Sequence, residues 1–460
     1  MPAVLDPSLG VTTPRAARPA SALGLVLLLA LAVVGVHALT NLYSPYGVHR
    51  DELLYMAMGR HLRLWAMDFP PMIALLAEWA RGALGSSLVA IRLSSAVAHA
   101  LLVLLTGLLA REFGGGRFAQ ALAALAAALA PLFLRAGSLF QPVVFDQLWW
   151  TVGLFLLARI GRAGGNGSAR AYWLLFGVAC GLGLLTKFSV LFFGAGVLAG
   201  IILSPLRGWL RTPWPWLAAA VALALGSPSI VGQVQLGFPV VQQMRDLRGS
   251  QLVHVGYADF LVEQAVMLGP LLVLAFAGLA RLLAAPSMRP YRAVGWSCAA
   301  SFVLLWLLHG KAYYIGPIYP ALLGAGAAAV GLGLEALRAR GAGRIAGGLG
   351  ALALVVVVAF GIAALPFGLP VLAPAAMARY AAAAGVTPAV TTNRGTRLPL
   401  PQDYADMLGW EEQAAAVARV YRALPPEDRA DAVVVGGNYG EAGAIDFYAR
   451  KYGLPGAIAP

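Results

Sequence analysis

Residues Ser21–Asn41 read SALGLVLLLALAVVGVHALTN, and a few positions later Val48–Met72 read VHRDELLYMAMGRHLRLWAMDFPPM. The first stretch carries no formal charge and is long enough to cross a bilayer, whose hydrocarbon core takes about 20 apolar residues. The second places two adjacent acids, Asp51 and Glu52, where the chain leaves the hydrocarbon, and a third, Asp68, just before Pro70-Pro71. The apolar run is too long for the core of a cleaved secretory signal, so it is read as a retained first helix.

The rest of the chain repeats the apolar pattern. Of 460 residues 60% are hydrophobic and 12% charged, with a mean hydropathy of +0.76, far from the soluble average of about 25% charged. Further runs of spanning length lie near 88–110, 117–136, 143–160, 171–186, 188–206, 214–233, 259–281, 293–309, 312–335 and 345–366. The expected fold is therefore an all-α polytopic membrane protein of about eleven transmembrane helices. The net charge of +13 sits in short clusters between these runs. No basic face or motif accompanies it, which argues against nucleic acid. Cys180 and Cys298 fall inside expected spans and read as packing residues.

The basic clusters orient the chain, because Lys and Arg favour the cytoplasmic side of short loops. With the N-terminus inside, each cytoplasmic segment has at least two: Arg15 and Arg18; Arg111 and Arg117; Arg159, Arg162 and Arg170; Arg207 and Arg211; Arg281, Arg289 and Arg292; Arg338, Arg340 and Arg344. The opposite short loops hold Arg135, Lys187 and Lys311 singly. In this orientation Asp51, Glu52, Asp68, Asp146, Lys187, His309 and Lys311 all fall on or just within the external face. Charge beside hydrocarbon is costly, so a one-sided collection points to a site with partners or water.

Each residue also has a plainer reading. Leu54, Met58, Leu62 and Trp65 recur at helical spacing, so Asp51 and Glu52 equally suit the first turn of an amphipathic surface helix, where they complement its dipole. Pro70-Pro71 reads as a stiff elbow before a helical stretch, Met72 to Leu84. Asp146 equally caps a helix near Pro142, Lys187 equally snorkels at a helix end, and His309 has no neighbour at metal-ligand spacing. No cofactor is expected, and a divalent metal has no support in the sequence.

Eight segments together resemble the C-type-fold glycosyltransferases (GT-C), specifically the bacterial members of glycosyltransferase family 39, similar to protein O-mannosyltransferases and aminoarabinose transferases. They are HRDELLY (49–55), DFPPM (68–72), FDQLWW (145–150), LLTKFS (184–189), GFPVV (237–241), GKAYYIGPIYPAL (310–322), and LPQDYADMLGW (400–410) with NYGEAGAI (438–445). No one segment is specific; their order around a common topology is. The resemblance implies transfer of a sugar from a polyprenyl-phosphate donor to a lipid, glycan or protein acceptor, outside the bacterial inner membrane. It implies Asp51 as catalytic base with Glu52 beside it and Asp68 as second acid. It also implies that Lys187 and Lys311, with Tyr313 and Tyr314, hold the donor phosphate, and that Asp146 and His309 support them. Some relatives carry a base between the second acid and the prolines, where this chain has Phe69.

Such chemistry suits these residue types, since a carboxylate takes the acceptor's proton while fixed cations offset charge on the departing phosphate. A polytopic transporter or flippase is the alternative, but it would place ionisable groups near the bilayer midplane, in paired broken helices. A non-catalytic lipid-carrier module would keep the cations and dispense with the acids. After about residue 373 charge rises and the apolar runs end, so 21–370 reads as the membrane domain, 1–20 as a cytoplasmic tail, and 373–460 as a small extracytoplasmic α/β domain. There DAVVVGG (431–437) is expected as a buried strand leading through NYGEAGAIDFYAR into a helix, a βα unit. The resemblance implies that relatives usually continue past GLPGAIAP (453–460), so either a shortened member or a partial chain is expected.

Overall fold

The computed structural model describes residues 19–165 and 167–459. Arg15, Arg18 and most of the expected tail 1–20 lie outside them. The first span is α1 (Leu23–Leu42), and the loop after it folds into two short helices, α2 (Arg50–Arg60) and α3 (Met72–Leu84), ahead of α4 (Leu88–Glu112). There follow α5 (Arg117–Leu129), α6 (Pro131–Gly137), α7 (Pro142–Ala163), α8 (Gly167–Thr186), α9 (Val190–Ile202) and α10 (Trp214–Gln235). A second loop carries α11 (Pro239–Ser250), before α12 (Tyr257–Leu268), α13 (Leu271–Ala284), α14 (Arg292–Leu307), α15 (Tyr319–Ala339) and α16 (Gly343–Gly368).

Seven helices among the described residues are long and apolar enough to cross a bilayer, and ten spans result if three bent pairs each count as one. The protein is thus a multi-pass membrane protein. The bends fall where proline or glycine interrupts the backbone ladder. α5 and α6 meet at 59° across Ala130-Pro131, α9 turns by 104° into the 3-10 helix Pro205–Arg211, and α12 and α13 meet at 109° across Gly269-Pro270. The eleventh expected span is α14, whose 16 residues give about 24 Å at 1.5 Å per residue.

α1 leaves most of its leucines and α16 half of its leucines and valines exposed, as lipid-facing helices do, whereas α15 is buried along most of its length. α15 packs closely on α13 because both present glycine. A Cβ on Gly278 would come within 2.0 Å of the Leu322 carbonyl oxygen, and one on Gly326 within 1.9 Å of that of Leu274. Without a hydrophobic drive between helices in lipid, such close backbone approach is a main source of association.

Beyond α16 come α17 (Pro374–Ala384), α18 (Gln402–Ala405), α19 (Trp410–Ala423), α20 (Pro426–Asp431) and α21 (Tyr439–Tyr452). The strand expected over 431–437 is reduced to β1, Val434–Val435, paired in parallel with β2, Ala457–Ile458. It is also not buried: Val433 and Val435 stay about two-thirds exposed (67% and 66%). A two-residue strand with a single partner has no second layer to cover it. α19 and α21 enclose a small apolar cluster of Ala414, Ala418, Ile445 and Leu454.

α2 likewise departs from expectation. Its inward face is Glu52, Leu53, Met56 and Gly59 rather than Leu54 and Met58, and it ends at Arg60, leaving Leu62 and Trp65 in the following turns. The reason is that α2 is covered from two sides. Gly59 lies against Ala74 and Ala77 of α3, and Gly443 of α21 lies against Leu53, where an added Cβ would sit 3.0 Å from the leucine Cβ.

Candidate active site

The site is built around the start of α2. His49 is the N-cap: the Asp51 N–H donates to His49 Nδ1 at 3.0 Å, and the His49 N–H donates to Glu52 Oε2 at 2.8 Å. This reciprocal arrangement satisfies two of the amides that a helix start leaves free. Burial pushes the His49 imidazole down to about 4 against the pull of Asp51 and Glu52, so the ring is neutral. Since Nδ1 accepts, the ring proton is on Nε2, which faces Asp403 Oδ1 at 3.7 Å.

Glu52 is fully buried. Arg92 of α4 meets it in a fork, Nε to Oε1 and Nη2 to Oε2, both at 2.8 Å, and the Phe140 N–H donates to Oε1 at 2.7 Å. With the His49 amide, all of its roughly four acceptor positions are taken. Burial pushes the carboxyl upward, but the charge and hydrogen bonds of Arg92 outweigh it and hold Glu52 below its ordinary value. Arg92, also fully buried, adds Asn41 Oδ1 at 3.0 Å and the Gly47 carbonyl at 3.2 Å.

Asp51 is different, with a side chain 28% exposed. Oδ1 accepts from the Tyr439 hydroxyl at 2.8 Å and Oδ2 from Gln141 Nε2 at 3.3 Å, while Arg50 Nε lies 3.6 Å from Oδ1. Tyr55, one turn along α2, has its phenol raised well above the ordinary value, first by burial, then by the charge of Asp51.

Lys187, between α8 and α9, holds its ammonium 4.2 Å from the centre of the Tyr314 ring and 5.5 Å from that of Tyr313. Lys311 hydrogen-bonds Gln251 Oε1 at 2.5 Å. Burial pulls Lys311 down to about 8; Lys187 pulls the same way, and Asp51 and Glu263 oppose it. Lys311 therefore lies in the field of both Lys187 and Asp51, with Tyr55, Tyr313 and Tyr314 around them. Neither lysine is ion-paired among the described residues.

Of the other sequence candidates, Asp146 lies in the field of Lys187, while Asp68 and His309 have partners of their own. Asp68 is exposed; its Oδ1 accepts from the Phe69 N–H at 3.0 Å, and its carbonyl accepts from Gln233 of α10 at 2.5 Å, which docks the DFPP turn on that helix. Asp146 does not cap α7, whose N-cap is Gln141; it is the fifth residue of the helix, buried, with Oδ1 unpartnered. His309 takes a left-handed conformation, φ 53°, and donates from Nδ1 to the Val255 carbonyl at 2.8 Å beside Tyr257. Among the described residues no three of His, Cys, Asp and Glu gather to hold a metal ion.

Sequence reading passed over Arg92, Gln141, Tyr55 and Tyr439. Arg92 did leave a signal, as a lone charge inside an apolar run. The LPQDYADMLGW segment has a structural account here: Asp403 pairs with Arg135 at 2.7 Å, Asp406 with Arg50 at 3.3 Å, and buried Tyr404 donates to the Pro366 carbonyl at 2.7 Å.

Residues 68–231 match the family model described as dolichyl-phosphate-mannose-protein mannosyltransferase. No curated protein matches the chain by sequence. Among solved structures, ArnT from Cupriavidus metallidurans bound to undecaprenyl phosphate is similar at a TM-score of 0.59 and 18% identity, over 95% of this chain and 86% of that one. Its apo state gives 0.60 and 19% over the same shares. The Archaeoglobus fulgidus oligosaccharyltransferase AglB, in complex with an inhibitory peptide and a dolichol-phosphate, gives 0.55 and 14% over 91% of this chain and 63% of that one. With its spans, its folded first loop and this likeness over nearly the whole length, the chain has the fold of the C-type glycosyltransferases.

Proposed function

We propose that the protein is a membrane glycosyltransferase that moves a sugar from a polyprenyl-phosphate donor to an acceptor on the extracytoplasmic side of a bacterial inner membrane. The observation that carries this reading is a partly exposed carboxylate, Asp51, in the field of Lys311, which lies in turn in the field of Lys187, both lysines lacking an ion pair among the described residues. An anionic phosphate is the natural counter-ion for Lys187 and Lys311, and Asp51 is the acceptor site for a proton. ArnT with undecaprenyl phosphate and AglB with a dolichol-phosphate support the donor class.

The acceptor hydroxyl attacks the anomeric carbon on the face away from the phosphate and gives its proton to Asp51. The bond from that carbon to the phosphate oxygen breaks, and the polyprenyl phosphate leaves with its charge facing Lys187 and Lys311, so the sugar configuration inverts. Asp68 orients the acceptor or the sugar. Glu52, with every acceptor position filled, holds the start of α2 and through it the backbone of Asp51.

Lys311 provides a test of phosphate binding. A phosphate monoester has completed its second ionisation, near pH 6, before Lys311 titrates, so above neutrality the lysine alone changes charge. Its cationic form binds phosphate; as pH rises through about 8 that form disappears, and affinity for a short-chain polyprenyl phosphate falls by up to about tenfold per pH unit. Lys311→Arg, charged throughout, should flatten the profile. Calorimetry on both proteins measures it, and identical profiles would remove Lys311 from the phosphate site.

Orientation is tested separately. A single cysteine at exposed Thr396, with Cys180 and Cys298 replaced, should react with an impermeant thiol reagent in intact cells. Reaction only after lysis would reverse the topology.

A further inference from the structure

The first residue of α21 lies 388 positions from Asp51 in sequence, yet its hydroxyl makes the shorter of the two side-chain hydrogen bonds to that carboxylate. We propose that Tyr439 is a positioning residue for Asp51, so that the C-terminal segment completes the catalytic site. This rests on the reading of Asp51 as the base.

Tyr439 is itself held firmly. On one side the Asn438 side chain accepts from the Gly440 and Glu441 amides at 2.9 and 3.1 Å, and the Gly437 N–H donates to Glu441 Oε2 at 2.7 Å. On the other, Gly440 sits so close to α2 that a Cβ would fall 2.6 Å from Arg50 Cγ. The Arg50 guanidinium lies 5.6 Å from the centre of the tyrosine ring and pairs with Asp406. Burial, followed by the charge of Asp51, raises the Tyr439 phenol above its ordinary value, which keeps it a donor.

The hydroxyl is not needed for docking. α21 is fastened to α2 independently by the Arg60 to Asp446 carbonyl bond at 2.8 Å and by the packing of Gly443 on Leu53. What the hydroxyl adds is a fixed donor on Oδ1 opposite the Gln141 amide on Oδ2. Together they restrict the broad terminal torsion of an aspartate and leave each oxygen a further lone pair.

Tyr439→Phe keeps the ring and its packing and removes only this donor. The first measurement needs no substrate: the rate at which a water-soluble carbodiimide modifies Asp51 at one fixed pH, mapped by mass spectrometry with exposed Glu427 as internal reference. Freed of its donor, Asp51 should react several-fold faster while Glu427, Glu441 and Asp446 keep their rates. In the transfer assay kcat should fall by about tenfold with the donor KM held within about twofold. Asp51 labelling at the wild-type rate overturns the proposal whatever turnover does. So does acceleration spread over Glu441 and Asp446, which reads as loss of docking, and so does a rise in kcat, which would make Tyr439 a blocker of the base. Absence of lipid-phosphate sugar transfer by the wild type would sink the proposed function instead, and the labelling would still decide the Tyr439 contact.

Discussion

Arg92→Leu should sharply lower the yield and melting temperature of the folded protein. Arg92 and Glu52 are both fully buried and joined by two 2.8 Å hydrogen bonds; removing one partner leaves a buried charge without compensation, at a cost of about 3–5 kcal/mol. Against a total stability of about 5–15 kcal/mol, that is a large share. Glu52→Gln should be nearly as damaging, because the amide cannot match the forked guanidinium and offers one oxygen where the carboxylate offers two. Replacing both residues by leucine should recover part of the loss. The recovery is incomplete, since Glu52 also takes the His49 and Phe140 amides, which would then be orphaned. Yield of monodisperse detergent-solubilised protein and its melting temperature measure all three variants. A Glu52→Gln protein that melts like wild type yet transfers no sugar would return Glu52 to the chemistry.

Asp51→Asn should behave in the opposite way, folding normally and losing transfer by on the order of a hundredfold or more. Loss of a charge from a helix start costs about 0.3–1 kcal/mol. The asparagine oxygen still accepts from the Tyr439 hydroxyl, and Gln141 can turn its amide so that its oxygen accepts from the new NH2, which keeps both contacts. What disappears is the ability to take the acceptor's proton, a contribution made in the transition state and therefore seen in kcat with donor binding intact. Asp68→Asn should cost less, because Asp68 is exposed and bonded to its own neighbour's amide. Loss of turnover confined to Asp68→Asn would exchange the two roles.

Much of the frame was legible. Apolar runs of spanning length mark the helices directly, since the bilayer fixes their length, and the charged clusters Arg159/Arg162/Arg170 and Arg338/Arg340/Arg344 mark loops. Asp51 and Lys311 stood out as charge beside hydrocarbon, whereas Tyr313 and Tyr314 were singled out only through the resemblance. The bent spans were signalled by Pro131, Pro205 and Pro270, though length alone could not tell a bend from a straight crossing.

The rest depended on tertiary contact. The inward face of α2 is set by α3 and α21 together, so a periodicity read from Leu54 and Met58 picked the wrong side. Glu52 and Asp51 are adjacent and chemically alike, yet a helix turns about 100° between them, sending one to Arg92 and the other to the open cluster. Nothing local separates them. Tyr439 lies in a Gly-rich turn whose sequence suits a helix start; only docking of α21 on α2 brings its hydroxyl to Asp51.

The most direct test is to incubate purified protein with a panel of polyprenyl-phosphate sugars and measure which donor is consumed and how much free polyprenyl phosphate is released, in parallel with Asp51→Asn. The account predicts that wild type consumes at least one of these donors and transfers its sugar with inverted configuration, while Asp51→Asn binds the same donor and leaves it intact. Consumption at equal rates by the two proteins would contradict it.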